Sequence, residues 1–293
     1  MAVIEISDLK KRFGKTQALD GVSLEVSQGE VFGFIGPNGA GKSTTIRILL
    51  GVIKADSGSA KIFGQDVWSD AVDLHKRLAY VAGDTNLWPN LTGGEVIDLF
   101  MKLRKSSDRN YRDELIERFD FDPSKKCGSY SKGNRQKVAL ISAFAVPADL
   151  YILDEPTSGL DPLMELIFKE CIAEIKARGA TVFLSSHILS EVEQLCDRIA
   201  IIRRGQIIDG GTLSELRHLT RNSVSVQSSE ELSGLADLPG VYNLTTHGTT
   251  TQFDMDNNET NNVLAYLAKQ QIDGINIAPP TLEELFMSHY TEK

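Results

Sequence analysis

Cysteine is scarce. The three thiols, Cys127, Cys171 and Cys196, are odd in number, far apart, and show no Cys-x-x-Cys spacing. That pattern excludes a disulfide framework, offers no zinc site, and fits a reducing cytoplasm. Long hydrophobic runs are missing as well: the longest, Val138 to Val146, is interrupted by Ser142, whereas a bilayer span needs about 20 apolar residues. The first residues carry Glu5 and Asp8 and no apolar core, so they do not read as a signal peptide. An excess of positive charge is also absent. With 31 Lys and Arg against 40 Asp and Glu, the formal net charge is -9. Such a chain has no broad field to attract nucleic acid, so any anionic ligand must be held by local geometry. No tandem repeat of the first two-thirds is visible.

What remains is an ordinary globular composition, 41% hydrophobic and 24% charged over 293 residues, long enough for about two domains. Val3 to Ile6 and Val22 to Val26 alternate and read as half-buried strands. Val31 to Ile35, Leu78 to Ala82, Tyr151 to Leu153 and Thr181 to Leu184 read as strands, the short apolar runs among them as buried ones. A helix is expected from Thr44, with Ile46, Leu49 and Leu50 on one face, and mostly helical structure from Leu87 to Glu117. Between Leu153 and Thr181 lies another helix, with Asp161 at its N-cap, Pro162 at its first position and Gly179 just past its end. Ile199 to Ile202 and Gln206 to Ile208 pair around Gly205.

After about Arg217 the chain turns rich in Ser, Thr and Asn. Strands are expected at Ser223–Gln227 and Thr250–Asp254, and a helix at Val263–Lys269. Thr281 and Glu284 form a capping box before a stripe of Leu282, Leu285, Phe286 and His289. The expected organisation is α/β, with residues 1–217 as one domain and 218–293 as a small α+β domain.

The chemistry starts at Gly36-Pro37-Asn38-Gly39-Ala40-Gly41-Lys42-Ser43, a G-x-x-x-x-G-K-[ST] run with a strand before it and a helix behind it. Glycines there let backbone N–H groups turn inward around phosphate, and the helix start adds partial positive charge. Lys42 should reach the terminal phosphates and the Ser43 hydroxyl should ligate Mg²⁺. A second buried strand ends in Asp154-Glu155. Asp154 is placed to hold Mg²⁺, and Glu155, one residue further, to face the attacking water as general base. No guanine-reading Asn-Lys-x-Asp occurs. Instead, Tyr130-Ser131-Lys132-Gly133-Asn134-Arg135-Gln136 opens an apolar helix as a second anion-binding helix start. One nucleotide rarely needs two such starts, but two chains sharing nucleotides do.

From here the sequence resembles the ATP-binding subunits of ABC transporters. Ser131, Lys132, Gly133 and Asn134 look like a variant of the LSGGQ signature, Ser158-Gly159-Leu160-Asp161 like the D-loop, and His187 like the switch histidine. The resemblance covers roughly residues 3–216 in the family's order and spacing. It implies a P-loop core with an antiparallel β subdomain and a helical subdomain at about 88–148. It also implies ATP contacts at Phe13 (stacking on adenine), Gly36 to Ser43 and Thr44, and catalytic roles for Glu155 and His187. Two chains would sandwich two ATP molecules head to tail, Ser131 to Asn134 and Asp161 reaching the partner's nucleotide. The resemblance further implies an integral-membrane permease as partner, no nucleic acid, and a peripheral place on the cytoplasmic face of the membrane.

The sequence departs from the family at two points. Lys132 and Asn134 stand where the signature usually has Gly and Gln, which should not abolish phosphate contact. The second departure bears on mechanism. Gly83 stands where a Gln usually approaches Mg²⁺. Backbone freedom, including positive φ, is the role expected of Gly83. Asp84 is a further candidate for the metal through a water, or a turn former with Asn86. Gly83-Asp84, the Ser131–Arg135 variant and Pro280 to Phe286 resemble drug-export and lipid- or peptide-export subunits. A soluble ABC ATPase acting on ribosomes or DNA is the alternative. Such proteins carry two cassettes or a long coiled-coil insertion, and this chain has neither.

Overall fold

The computed structural model describes residues 1–106, 108–218, 221–230 and 232–278. The chain divides into two compact units, Met1–Gly210 and Gly211–Lys293. The boundary expected at 217/218 rests on composition, which shifts only past a short helix that the structure groups with the second unit.

In the first unit, β1 (Ala2–Phe13) and β2 (Thr16–Ser27) pair antiparallel around Gly14, whose φ is +56. β4 (Ser57–Ile62) and β5 (Gln65–Asp66) extend them into a sheet of order β2-β1-β4-β5. The alternation read in the sequence is one-sided burial: Ile4, Ile6, Leu9, Val22 and Val26 are buried. β4 escaped the sequence reading because Ser57-Gly58-Ser59 carries no apolar signal, and only Ala60 and Ile62 turn inward.

The second sheet has the order β10-β9-β3-β8-β7-β6. Its members are β3 (Val31–Ile35), β6 (Leu78–Val81), β7 (Leu150–Asp154), β8 (Thr181–Ser186), β9 (Arg198–Arg203) and β10 (Gln206–Thr212). From β9 to β6 all neighbours are parallel. Every residue of β3, β7 and β8 is buried, which is why these strands read as unbroken rather than alternating apolar runs. β10 returns beside β9 through Arg204 and Gly205, both at positive φ (+49 and +79), as two-residue hairpin turns require.

One core joins the two sheets through α1 (Lys42–Leu49): Ile4 and Leu19 from the first, Phe34, Ile152 and Phe183 from the second, Ile46 and Leu49 between them. Burying each of these side chains stabilises the unit by about 1.5–3 kcal/mol. The Phe34 and Phe183 rings lie 5.4 Å apart.

α2 (Ala71–Leu74) precedes β6, and among the described residues three α-helices lie between β6 and β7: α3 (Gly93–Leu103), α4 (Arg109–Arg118) and α5 (Lys132–Phe144). Helical structure was expected from Leu87, but α3 starts only at Gly93. Trp88 precedes Pro89, which disfavours helical backbone there, and a capping box sets the start: Glu95 N donates to Thr92 Oγ1 and Thr92 N to Glu95 Oε2. α6 (Pro162–Ala177) is capped by Asp161, with Gly179 at φ +80 behind it, as the sequence indicates. α7 (Leu189–Leu195) follows β8.

The second unit holds α8 (Leu213–His218), β11 (Asn222–Gln227), β12 (Val241–His247), β13 (Thr250–Met255), α9 (Thr260–Leu267) and β14 (Gly274–Ala278). Its antiparallel sheet has the order β12-β13-β11-β14. Val224, Val226, Phe253 and Met255 form the core with Val263 and Leu267 of α9. β12 and β14 were not foreseen, because neither buries a single residue and so neither shows a clean alternation. The capping box at Thr281 and Glu284, with its stripe, lies outside the described residues.

Candidate functional site

Four parallel strands end in one row. Ile35 pairs with Ser186, Asp154 with Ser185, and Val81 with Leu153. Open parallel sheets bind ligands beyond the carboxyl ends of their strands. The segments leaving this row are Gly36–Ser43, Gly83-Asp84, Glu155 and His187.

The loop after β3 is shaped by close approach. A Cβ on Gly36 would meet the Ile202 carbonyl at 2.3 Å, and one on Gly41, at φ +120, the Ala18 carbonyl at 2.9 Å. Ala40 is tied at both ends: its N–H donates to Pro37 O at 3.1 Å and its carbonyl accepts from Gly205 N at 2.8 Å. Lys42 is buried, its Nζ donating to Gly36 O at 2.6 Å and Pro37 O at 3.4 Å. α1 has no side-chain cap and no acidic residue in its first turn, so its orphan N–H groups and positive end are left for an anion. Asn38, Gly39 and Ser43 are exposed, and Pro37 and Thr44 partly so. Phe13, at the end of β1, is half exposed, with Lys11 Nζ 5.5 Å from its ring centre.

The two carboxylates sit in different surroundings. Asp154 is buried, and its Oδ1 accepts from Ser185 Oγ at 2.5 Å. Glu155 has φ +47, an uncommon conformation for a side-chain-bearing residue. Its N–H donates to Ser185 O at 3.0 Å. Glu155 Oε1 lies 3.4 Å from Lys42 Nζ, and Oε2 lies 3.3 Å from His187 Nδ1. Lys42, Glu155 and His187 thus form one cluster beside the fixed Asp154.

Ser43 and Asp154 are hard oxygen donors of the kind Mg²⁺ takes. Among the described residues no group of three His, Cys, Asp or Glu could hold a metal by itself. A Mg²⁺ there would complete its shell with phosphate oxygens and water, its usual habit.

Gly83 does not have a positive φ, which corrects the expectation of left-handed backbone at this place. What constrains it is proximity: a Cβ would stand 3.1 Å from the Asp154 carbonyl. Asp84 is exposed, and Asn86 Nδ2 lies 3.5 Å from its Oδ2.

At the start of α5, Ser131 Oγ accepts from Asn134 N at 3.3 Å, and Lys132 Nζ donates to Ser158 Oγ at 2.7 Å. A Cβ on Gly133 would stand 2.4 Å from Gly159 O, so only glycine fits. The structure therefore packs the helix start against residues 158–159 of the same chain. Asp161 Oδ1 accepts from Met164 N at 3.0 Å, capping its own helix.

Three further residues brace the site. Ser185 holds both carboxylate residues. Glu191, buried, accepts from Thr157 Oγ1 at 2.9 Å and Ser186 Oγ at 3.3 Å, and burial raises its pKa. Gln136, also buried, bonds Thr85 and Pro156. The available signal was polarity where burial is expected: Ser185-Ser186 closes a central strand, and Gln136 sits in an apolar helix.

A phosphate cradle and a strand-end carboxylate pair on a parallel sheet, with a flanking antiparallel sheet and a helical insertion, define a P-loop ATPase of the ABC type. A family model described as ABC transporter matches residues 19–158, and one described as ATP-binding protein DrrA1-3-like, C-terminal domain, matches residues 211–290. The bacitracin transport ATP-binding protein BcrA of Bacillus licheniformis is 35% identical over 232 residues, 78% of this chain and 76% of that protein. The daunorubicin resistance ATP-binding protein DrrA3 of Streptomyces coeruleorubidus is 33% identical over 298 residues, 97% and 94% of the two chains. A solved structure of an ATP binding subunit of an ABC transporter superposes with a TM-score of 0.69 at 33% identity, covering 74% of this chain and 92% of that one. The chain belongs to the ATP-binding proteins of ABC transporters and is an ATPase.

Proposed function

We propose that this chain is the ATP-hydrolysing motor of an exporter and drives a separate integral-membrane subunit from the cytoplasmic face. Its relatives support this reading, being ATP-binding proteins of bacitracin transport and daunorubicin resistance. No helix among the described residues is long and apolar enough to cross a membrane, so a membrane task needs a partner. An apolar groove offers that partner a seat: about 480 Å³, lined by Tyr80, Leu87, Phe100, Ala139 and Ala143 among others. Beside it Trp88 is 52% exposed, its ring 6.3 Å from that of Phe100.

In this reading Lys42 and the N–H groups of the Gly36–Ser43 loop bind the phosphates, Thr44 extends the contact, and Phe13 stacks on the adenine. Ser43 and Asp154 hold Mg²⁺, which neutralises phosphate charge. Glu155 takes the proton of the attacking water, and His187 orients Glu155 from its other side. Ser131, Lys132, Gly133, Asn134 and Asp161 complete the site of a second copy in a head-to-tail homodimer.

The observation that carries the reading is the single row of strand ends holding cradle, Asp154 and His187 segment together. The test is co-purification from detergent-solubilised membranes. The expected result is a stoichiometric polypeptide with membrane spans, whose deletion releases the chain from the membrane pellet. Sedimentation with ribosomes, independent of any membrane protein, would contradict the reading.

A further inference from the structure

Gln136 is almost fully buried, at 1% exposure, and uses both ends of its amide. Nε2 donates to Pro156 O at 2.9 Å, and Oε1 accepts from Thr85 Oγ1 at 2.8 Å. The orientation of the amide follows from chemistry, because a carbonyl can only accept; the NH₂ must face Pro156 and the hydroxyl must donate to Oε1. Thr85 belongs to the loop after β6 that contains Gly83, and Pro156 follows Glu155 directly. The Glu155 backbone is fixed on its N-terminal side by Ser185 O. On its C-terminal side the Glu155 carbonyl accepts from Ser158 N at 3.1 Å within the same turn, and the Pro156 carbonyl is the first group tied to a distant element, by Gln136. Between these two anchors the chain turns through φ +47, a conformation held only where its surroundings over-determine it. Gly83 itself has no side chain to perform this anchoring, and a Cβ there would stand a tight 3.1 Å from the Asp154 carbonyl.

We propose that Gln136 is a positioning residue for hydrolysis: its amide ties the Pro156 carbonyl, and with it the Glu155 carboxylate, to the Ala82–Thr85 loop and to α5. A link is thereby supplied from α5 where this chain carries Gly83. Movement of α5 is then coupled to the aim of the base. The inference rests on Glu155 being that base.

The experiment compares Gln136→Met, Thr85→Val and Thr85→Ser with the parent in steady-state hydrolysis, ATP binding and thermal melting. Displacement of a catalytic group by about 1 Å can cost 10²-fold. Gln136→Met should therefore lower kcat about tenfold or more, while KM and ATP affinity stay within about twofold. Thr85→Val should lower kcat in the same direction, Thr85→Ser should restore it, and the Thr85→Val/Gln136→Met double variant should be no slower than Gln136→Met alone. If Gln136→Met does not fold, the Thr85 pair decides by the same readouts. Parent kcat in the folded variants overturns the proposal, and so does a loss of rate, affinity and melting temperature in equal measure, the mark of a merely structural amide. Glu155→Gln, measured alongside, separates the two failures: parent turnover in that variant removes the base assignment itself.

Discussion

Glu155 Oε1 lies 3.4 Å from Lys42 Nζ, so the proposed base and the proposed phosphate-binding cation form an ion pair beside the Gly36–Ser43 loop. Lys42 is also held by the Gly36 carbonyl at 2.6 Å, which aims its ammonium along the loop. Lys42→Ala should leave the fold intact and weaken ATP binding. A charge-assisted hydrogen bond is worth about 1.5–3 kcal/mol, so Kd should rise about 10- to 150-fold in a fluorescent-nucleotide titration.

Ser185→Ala should act through the Mg²⁺ that Asp154 is proposed to hold. The hydroxyl donates to buried Asp154 Oδ1, and partners that orient a ligand typically shift metal affinity about 10- to 100-fold when removed. The Mg²⁺ concentration for half-maximal hydrolysis should rise by about tenfold, with Mg²⁺-free ATP binding preserved. Titrating Mg²⁺ at saturating ATP checks it.

The buried strands, the Gly36–Ser43 loop between strand and helix, the strand-end Asp154-Glu155 pair, the cap at Asp161 and the helix start at Ser131 were legible because each obeys a local rule. A central parallel strand is apolar throughout, and a helix start needs a side-chain acceptor or a phosphate. β4, β12 and β14 were not legible, since two or fewer residues of each are buried. The long-range pairings behind the site were hidden for another reason. Ser185 on Asp154 and Gln136 on Pro156 depend on which strands and helices lie side by side, and residue types alone do not set that. Gly83 shows the limit most sharply: its φ is not positive, and the tight 3.1 Å approach that a Cβ would make to the Asp154 carbonyl comes from a distant strand.

Glu191 makes stability depend on pH. Its carboxyl is buried, Oε1 has no hydrogen-bond partner, and burial raises its pKa above the ordinary glutamate value. A folded-state pKa above the unfolded one favours the protonated form in the fold. The associated stability is fully present below the unfolded pKa of 4.5 and is lost as pH rises through the folded value. Glu191→Gln, neutral at every pH, should therefore raise the melting temperature at pH 8. The gain should shrink toward zero as pH falls to about 4. Melting curves across that range check it.

In the proposed head-to-tail dimer, each site joins one chain's cradle to the Ser131–Asn134 segment of the other. Neither Lys42→Ala nor Ser131→Arg homodimers should turn over ATP. Mixed dimers should regain about half the parent rate per dimer if each site works alone, because one site is then free of either lesion. Cross-linking confirms that mixed dimers form, and continued inactivity in them would count against the arrangement.

The most direct measurement of the central claim, that Glu155 is the base of a nucleotide-closed dimer, is made on Glu155→Gln. Turnover and sedimentation are recorded together in ATP and Mg²⁺. Removing a general base costs about 10²- to 10⁴-fold, so hydrolysis should fall at least a hundredfold while ATP remains bound. The protein should sediment as a dimer with ATP and as a monomer without it. Hydrolysis at the parent rate, or a monomer at saturating ATP, would contradict the account.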